Sequence, residues 1–194
     1  MSIGTIEKLL TFIVRNNMWN RFLIPAGAFL VLVAVFVVGL TKDPSRIPSP
    51  LVDNPAPEFS LPSLQDPDTM VGSANYSGQL ALVNIWATWC PGCRQEHDFL
   101  MELSLENIVP IFGLNWRDSR PEALEWLRVL GDPYIVSAYD VDGRVGIDWG
   151  AYGAPETFLV DQNGIVIHKH IAPLTREIWE RDFMPLIRAN GGEQ

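Results

Sequence analysis

Between Phe22 and Leu40 the chain runs FLIPAGAFLVLVAVFVVGL, without a single charged residue. At a helical rise of about 1.5 Å per residue this stretch reaches roughly 28 Å, close to the thickness of a bilayer's hydrocarbon core. It reads as one transmembrane helix, so any globular fold must be built from the residues beyond it. Pro25 falls in the first turn, where its missing N–H breaks no helical bond. A cleaved secretory signal would have a shorter apolar region and a small-x-small cleavage site, for which Gly39-Leu40-Thr41-Lys42 is a poor match. A buried core helix is the remaining alternative. Lys8, Arg15 and Arg21 favour an N-terminus kept inside, an asymmetry that Lys42 and Arg46 weaken. Anchor and signal alike export the long C-terminal part.

The stretch Thr41 to Pro57 (TKDPSRIPSPLVDNPAP) is rich in proline, serine and aspartate and has no apolar period, so it reads as an extended, solvated tether. The organisation is then a cytoplasmic segment 1–21, an anchor 22–40, a linker 41–56 and one globular domain 57–194. The chain carries −9, and its segment 1–21, with Lys8, Arg15 and Arg21 against Glu7, carries +2, which leaves −11 on the rest. So acidic a body has no means of holding a phosphate backbone and argues against a nucleic-acid partner.

Strand-like and helix-like segments alternate through the domain. Glu58 to Leu64, Ile108 to Trp116 and Tyr134 to Asp140 read as strands, and Leu80 to Ala87 is apolar enough to be a buried central one. Helices are expected from Pro91 to about Leu105 and from Pro121 to Leu130, each with proline in its first turn. Such alternation implies crossover connections and parallel strands. Two further strands, Glu156 to Val160 and Ile165 to His170, flank Asp161-Gln162-Asn163-Gly164, a hairpin signal in which Asn-Gly supplies positive φ angles. A closing helix is expected from about Thr175 to Arg188.

The two cysteines of the chain, Cys90 and Cys93, are too close in sequence to staple a domain. Cys90 follows the central strand and opens a helix, where free N–H groups and the helix dipole favour a thiolate. A thiolate can attack a partner's disulfide, and Cys93, one turn on, can displace that partner. Pro91 suits the first helical position, and Gly92 keeps the turn uncluttered for an approaching chain. A zinc site is an alternative, since His97 lies on the same helix face as Cys93, but no fourth ligand is evident. His168 and His170 read as an exposed strand face, and a static disulfide is the other bland possibility. Glu96 and Glu156 are either solvated carboxylates or proton-exchange partners for the cysteines; partial burial would raise their pKa values toward a useful range.

Trp86-Ala87-Thr88-Trp89-Cys90-Pro91-Gly92-Cys93 resembles the active-site segment of the thioredoxin superfamily, and Gly153-Ala154-Pro155-Glu156-Thr157 resembles its cis-proline loop. Asn84 to His97 (NIWATWCPGCRQEH), Gly113-Leu114-Asn115-Trp116, Gly131-Asp132-Pro133-Tyr134 and Asp148 to Glu156 together resemble the CcmG/DsbE proteins of bacterial cytochrome c maturation. The resemblance implies an α/β, thioredoxin-like fold, a mixed central sheet flanked by helices, behind a single anchor in the bacterial inner membrane with its C-terminal domain in the periplasm. It implies a thiol:disulfide oxidoreductase acting as a reductant, without cofactor or metal. Its partners would be apocytochrome c, or a cytochrome c maturation component, and a membrane thiol donor that re-reduces it. Carried over, Cys90 is the attacking thiol, Cys93 the resolving thiol, Pro155 the cis-proline, and Glu96 and Glu156 the acidic residues of the site. Trp89, Pro91, Tyr152 and Ala154 join Pro155 in the substrate-binding groove, while Trp149 belongs either there or in the core. The buried aspartate of many thioredoxins is here Asn84, which cannot take a proton. A broad-range exported reductase, an oxidant and a non-catalytic binding module remain alternatives.

Overall fold

The computed structural model describes residues 22–39 and 50–191. The described residues belong to two separate compact units, an N-terminal helix and a C-terminal domain. Helix α1, Phe22–Gly39, has a mean hydropathy of 2.7, is exposed throughout and is long and apolar enough to cross a membrane. Leu40, the segment 1–21 and linker residues 41–49 lie outside the described residues.

The domain begins with a small hairpin, β1 (Ser60–Pro62) and β2 (Met70–Gly72). The main sheet is made by β3 (Ala81–Trp86), β4 (Ile111–Trp116), β5 (Val136–Asp140), β6 (Glu156–Val160) and β7 (Val166–Ile171), in the order β5-β4-β3-β6-β7. Crossovers through helices α2 (Pro91–Glu106) and α3 (Arg120–Leu130) make β3, β4 and β5 parallel, whereas β6 runs antiparallel to β3 and β7. This is the mixed sheet that the resemblance implies. The short helix α4 (Arg144–Asp148) leads from β5 toward β6; neither it nor β2 has a period long enough to be read in advance.

Every residue of β3 and β4 is buried, as continuous apolar runs in a sheet covered on both faces must be. Alternation divides them. Leu82 and Trp86 pack with Leu100 and Leu103 of α2 and with Trp179, Phe183 and Ile187 from the C-terminus. Ala81, Val83 and Ile85 face the other layer with Phe112, Leu114, Trp116, Trp149 and Phe158. Burying each large aliphatic side chain contributes about 1.5–3 kcal/mol, and the two layers clamp β3 in place. Helix α2 presents Cys93, Glu96, His97, Leu100 and Leu103 inward at helical spacing and stops at Asn107, left-handed at φ 52°, whose N–H reaches Leu103 O.

Three local expectations change. Residues 50–56 are part of the domain rather than free tether: Asp53 N–H bonds Val166 O at 2.8 Å, Val166 N–H bonds Asn54 O at 3.0 Å, and Ala56 N–H bonds Gly164 O at 2.8 Å. In the β6–β7 turn the positive φ falls on Gly164 alone (79°), not on Asn163, because Asp161 Oδ1 accepts the N–H groups of Asn163 and Ile165 and holds the turn from its first residue. The closing helix is broken into α5 (Arg176–Ile178), a wide π turn (Trp179–Phe183) and α6 (Met184–Ala189). Pro185 has no N–H to offer the carbonyl four residues back, and the ladder passes it with Met184 N–H reaching Trp179 O.

Gly146 in α4 lies against the indole of Trp116. A methyl group there would collide with Nε1 and lie 2.6 Å from Cδ1. The ring cannot yield, since Nε1 donates to Gly143 O at 3.1 Å, Trp89 packs against the indole at a tilt of 51° and Arg117 lies over its face. Overpacking of this kind costs about 1–3 kcal/mol and outweighs the ~1 kcal/mol helix preference for alanine. Gly146→Ala is therefore expected to lower unfolding free energy by up to about 2 kcal/mol in urea denaturation, against the sign that helix propensity gives.

Candidate active site

Cys90 caps the N-terminus of α2, and its Sγ accepts the N–H of Cys93 at 2.9 Å. The two cysteines form a disulfide with Cα atoms 5.3 Å apart, and both are buried. When that bond opens, the helix-start N–H groups and dipole favour negative charge on Cys90 Sγ. The loop before it is pinned by Asp118, which sequence reasoning missed although it follows the quoted Gly113–Trp116 strand end by two residues. Its carboxylate accepts Thr88 N–H at 2.7 Å, Thr88 Oγ1–H at 2.6 Å, Asn115 Nδ2–H at 2.8 Å and Ser119 N–H at 2.8 Å. Trp89 donates its Nε1–H to Arg117 O at 3.1 Å, yet 52% of its surface is exposed. Pro91 is exposed beside it.

The facing wall is the loop from α4 to β6. The Ala154–Pro155 peptide is cis. A Cβ on Gly92 would lie 2.8 Å from Pro155 Cδ and 3.1 Å from Pro173 Cγ, so the room that Gly92 leaves is filled by the protein's own prolines rather than held open for another chain. Tyr152 stands out from this wall, 67% exposed, with Ala154 half-buried beside it; Trp149 is wholly buried and belongs to the core, not the groove.

Both glutamates are buried, contrary to the solvated alternative, but in different company. Glu96 lies on the inward face of α2, one turn after Cys93. Asn84 Nδ2–H donates to its Oε1 at 2.9 Å and Leu174 N–H to its Oε2 at 2.7 Å. Burial raises its pKa to about 7 against these two donors, which pull the other way. Asn84 also donates to Thr157 Oγ1 at 3.0 Å and accepts Tyr134 O–H at 2.9 Å, so the residue in place of a buried aspartate organises the acid beside it. Glu156 instead has an ammonium partner: Lys169 Nζ is 2.9 Å from Oε2, while Oε1 accepts Tyr152 N–H at 2.7 Å and Gly153 N–H at 3.3 Å. Lys169 was invisible at the sequence level. Only the β6–β7 register, with Lys169 opposite Phe158, places it diagonal to Glu156.

His97 is committed within the fold. Its Nε2 lies 3.2 Å from Gly131 O and its Nδ1 accepts Trp126 Nε1–H at 3.1 Å, which leaves neither nitrogen for a metal; burial pushes its pKa down. Among the described residues no cluster of three potential ligands occurs. His168 and His170 do not lie on an exposed face. They pack against Phe183 of the π turn, with ring centroids 4.7 and 6.5 Å away, because the C-terminal segment folds back over this side of the sheet.

A dithiol at a helix N-terminus, a cis-proline packed against that helix start and a buried carboxylic acid one turn on define a thiol:disulfide oxidoreductase of thioredoxin type. The family profile described as Redoxin matches residues 51–183, and the chain belongs to that family, among its DsbE thiol:disulfide interchange proteins. It is 52% identical to the thiol:disulfide interchange protein DsbE of Allochromatium vinosum over 92% of this chain and 99% of that one. The DsbE of Pseudomonas aeruginosa is 44% identical over 84% of this chain and 91% of its own length. In fold it is similar to the crystal structure of a DsbF homologue from Corynebacterium diphtheriae, with a TM-score of 0.62, 23% identity and coverage of 77% of this chain and 94% of that one.

A folded-state pKa of about 7 against 4.5 for an ordinary glutamate means that the native state holds the Glu96 proton longer than the unfolded chain does. Its contribution to stability is thus largest below about pH 4.5 and falls as pH rises to about 7. The unfolding free energy of the wild type minus that of Glu96→Gln should fall by on the order of 3 kcal/mol across this range, read by urea titration at several pH values. His97, depressed by burial, acts with the opposite sign but is present in both proteins and cancels. A pH-independent difference would contradict the assignment.

Proposed function

We propose that this chain is a membrane-anchored reductant that keeps the haem-attachment cysteines of apocytochrome c reduced, directly or through a maturation component. The observation that carries the reductive direction is Glu96, a buried carboxyl one turn from Cys93 on the same helix face. Strong oxidants of this class owe their potential to a stabilised thiolate in the reduced form. A carboxylate next to the dithiol opposes that stabilisation, so the reduced pair gives up its electrons more readily.

In the forward reaction the Cys90 thiolate attacks one sulfur of the client disulfide. That S–S bond breaks, a Cys90–client disulfide forms, and the displaced client sulfur takes a proton. Glu96, poised near pH 7, accepts the Cys93 proton, and the Cys93 thiolate attacks Cys90 Sγ. The second client thiol leaves, two electrons have passed to the client, and the Cys90–Cys93 disulfide remains for a membrane thiol donor to reduce. Pro155, Ala154, Tyr152, Trp89 and Pro91 form the surface against which the client lies. In this reading Glu156 is no proton carrier, since Lys169 and two N–H groups hold its carboxylate.

The apolar α1 and the basic residues before it support a single pass of the bacterial inner membrane, with residues 1–21 in the cytoplasm and the domain in the periplasm. The DsbE relatives support the cytochrome c pathway as the destination. Cys93→Ser removes the resolving thiol and should accumulate mixed disulfides in which Cys90 is bonded to an apocytochrome c or a maturation component, identified by mass spectrometry after non-reducing separation. Cys90→Ser should accumulate none with a client. Recovery of only unrelated exported proteins would overturn the dedicated role.

A further inference from the structure

The loop that carries Pro155 is tied to α4 only at its start, where Gly150 N–H bonds Ile147 O at 2.8 Å and Ala151 N–H bonds Gly146 O at 2.9 Å. Between α4 and β6 it has no ladder partner, passes Gly150 at φ 62° and ends in the cis peptide. The Gly150 carbonyl and the next two N–H groups are gathered by the buried pair beneath the loop. Glu156 takes the N–H groups of Tyr152 and Gly153, and Lys169 Nζ donates to Gly150 O at 2.8 Å. The same ammonium lies 2.9 Å from Glu156 Oε2, 4.9 Å from the centroid of the Tyr152 ring and 5.1 Å from that of Phe158. The Lys169 side chain is 2% exposed and that of Glu156 is fully buried.

A buried ion pair is seldom justified by stability, because desolvating two charges takes back most of what their attraction contributes and an apolar pair of similar volume does as well or better. An apolar pair could fill this space. It could not accept two backbone N–H groups, donate to the Gly150 carbonyl and support the underside of an aromatic ring whose outer surface is free. Lys169 does the last two at once, and its partner does the first.

We propose that Lys169 is a positioning residue for client binding: through the Gly150 carbonyl, the Glu156 carboxylate and the underside of the Tyr152 ring it holds the loop Gly150–Pro155 in the shape that a disulfide-bearing peptide meets. The inference rests on the reading of Tyr152 to Pro155 as the client-facing wall. Lys169 touches no reacting atom; it sets how well an extended segment docks, not how fast sulfur exchanges once it has docked.

Oxidation of the reduced full-length protein by a peptide containing one intramolecular disulfide, followed by stopped-flow tryptophan fluorescence, gives a half-saturating peptide concentration and a limiting rate. Lys169→Met is expected to raise the former about tenfold while the limiting rate stays within about twofold, the mark of lost binding rather than lost chemistry. Lys169→Arg, which restores a cation, should recover most of the loss. If Lys169→Met does not fold, the double variant Lys169→Met, Glu156→Gln leaves no lone buried charge and is expected to show the same rise. A folded variant with an unaltered half-saturating concentration, or one whose limiting rate falls in step with it, overturns the proposal. Tyr152→Ala separates the two layers of the argument. No change there sinks the wall reading and the proposal with it, whereas a rise there without one in the Lys169 variants overturns the role of Lys169 alone.

Discussion

The amide of Asn84 is the joint on which the site depends. It is fully buried at the middle of β3, and each side of it is bonded: Nδ2 donates to Glu96 and Thr157, and Oδ1 accepts from Tyr134. Those partners belong to α2, to β6 and to the segment leading into β5, so one side chain ties the helix that carries the cysteines to three parts of the sheet layer. An unpaired amide in so dry a place would be costly, and each bond therefore constrains the others. Helix α2 cannot slide along its axis without breaking the Asn84–Glu96 bond. The position of Cys90 just beyond the C-terminal end of the central strand follows from that register.

The two acidic residues show how burial alone leaves a carboxyl group's behaviour open. Glu96 has only neutral donors around it, and removal from water lifts its pKa to about 7, where it can pass a proton in either direction. Glu156 is just as buried but faces an ammonium and two backbone N–H groups, and its work is to hold a loop.

Much of this was legible in advance, for identifiable reasons. The central strands are continuous apolar runs, α2 opens at Pro91, and the spacing of Cys90 and Cys93 at a strand-to-helix junction admits few other uses. What stayed hidden depended on neighbours distant in sequence. Lys169 reads as an ordinary polar residue of a His-Lys-His strand until the β6–β7 register sets it beside Glu156. The same strand misled in the opposite direction, since His168 and His170 look exposed until the C-terminal segment covers them. That segment reads as one helix from about Thr175 to Arg188, and the break comes where Pro185 lacks the N–H that a regular ladder needs.

The segment 50–56 meets the start of β7, the last strand of the sheet, where Asp53 and Asn54 pair with the backbone of Val166. A strand at a sheet's edge offers a row of open donors and acceptors to any extended chain that drifts past. Residues 53–56 therefore act as a guard rail, closing the start of that edge to strand addition. Trimming the chain back to residue 57 would leave the backbone groups of Gly164 and Val166 open to any extended chain.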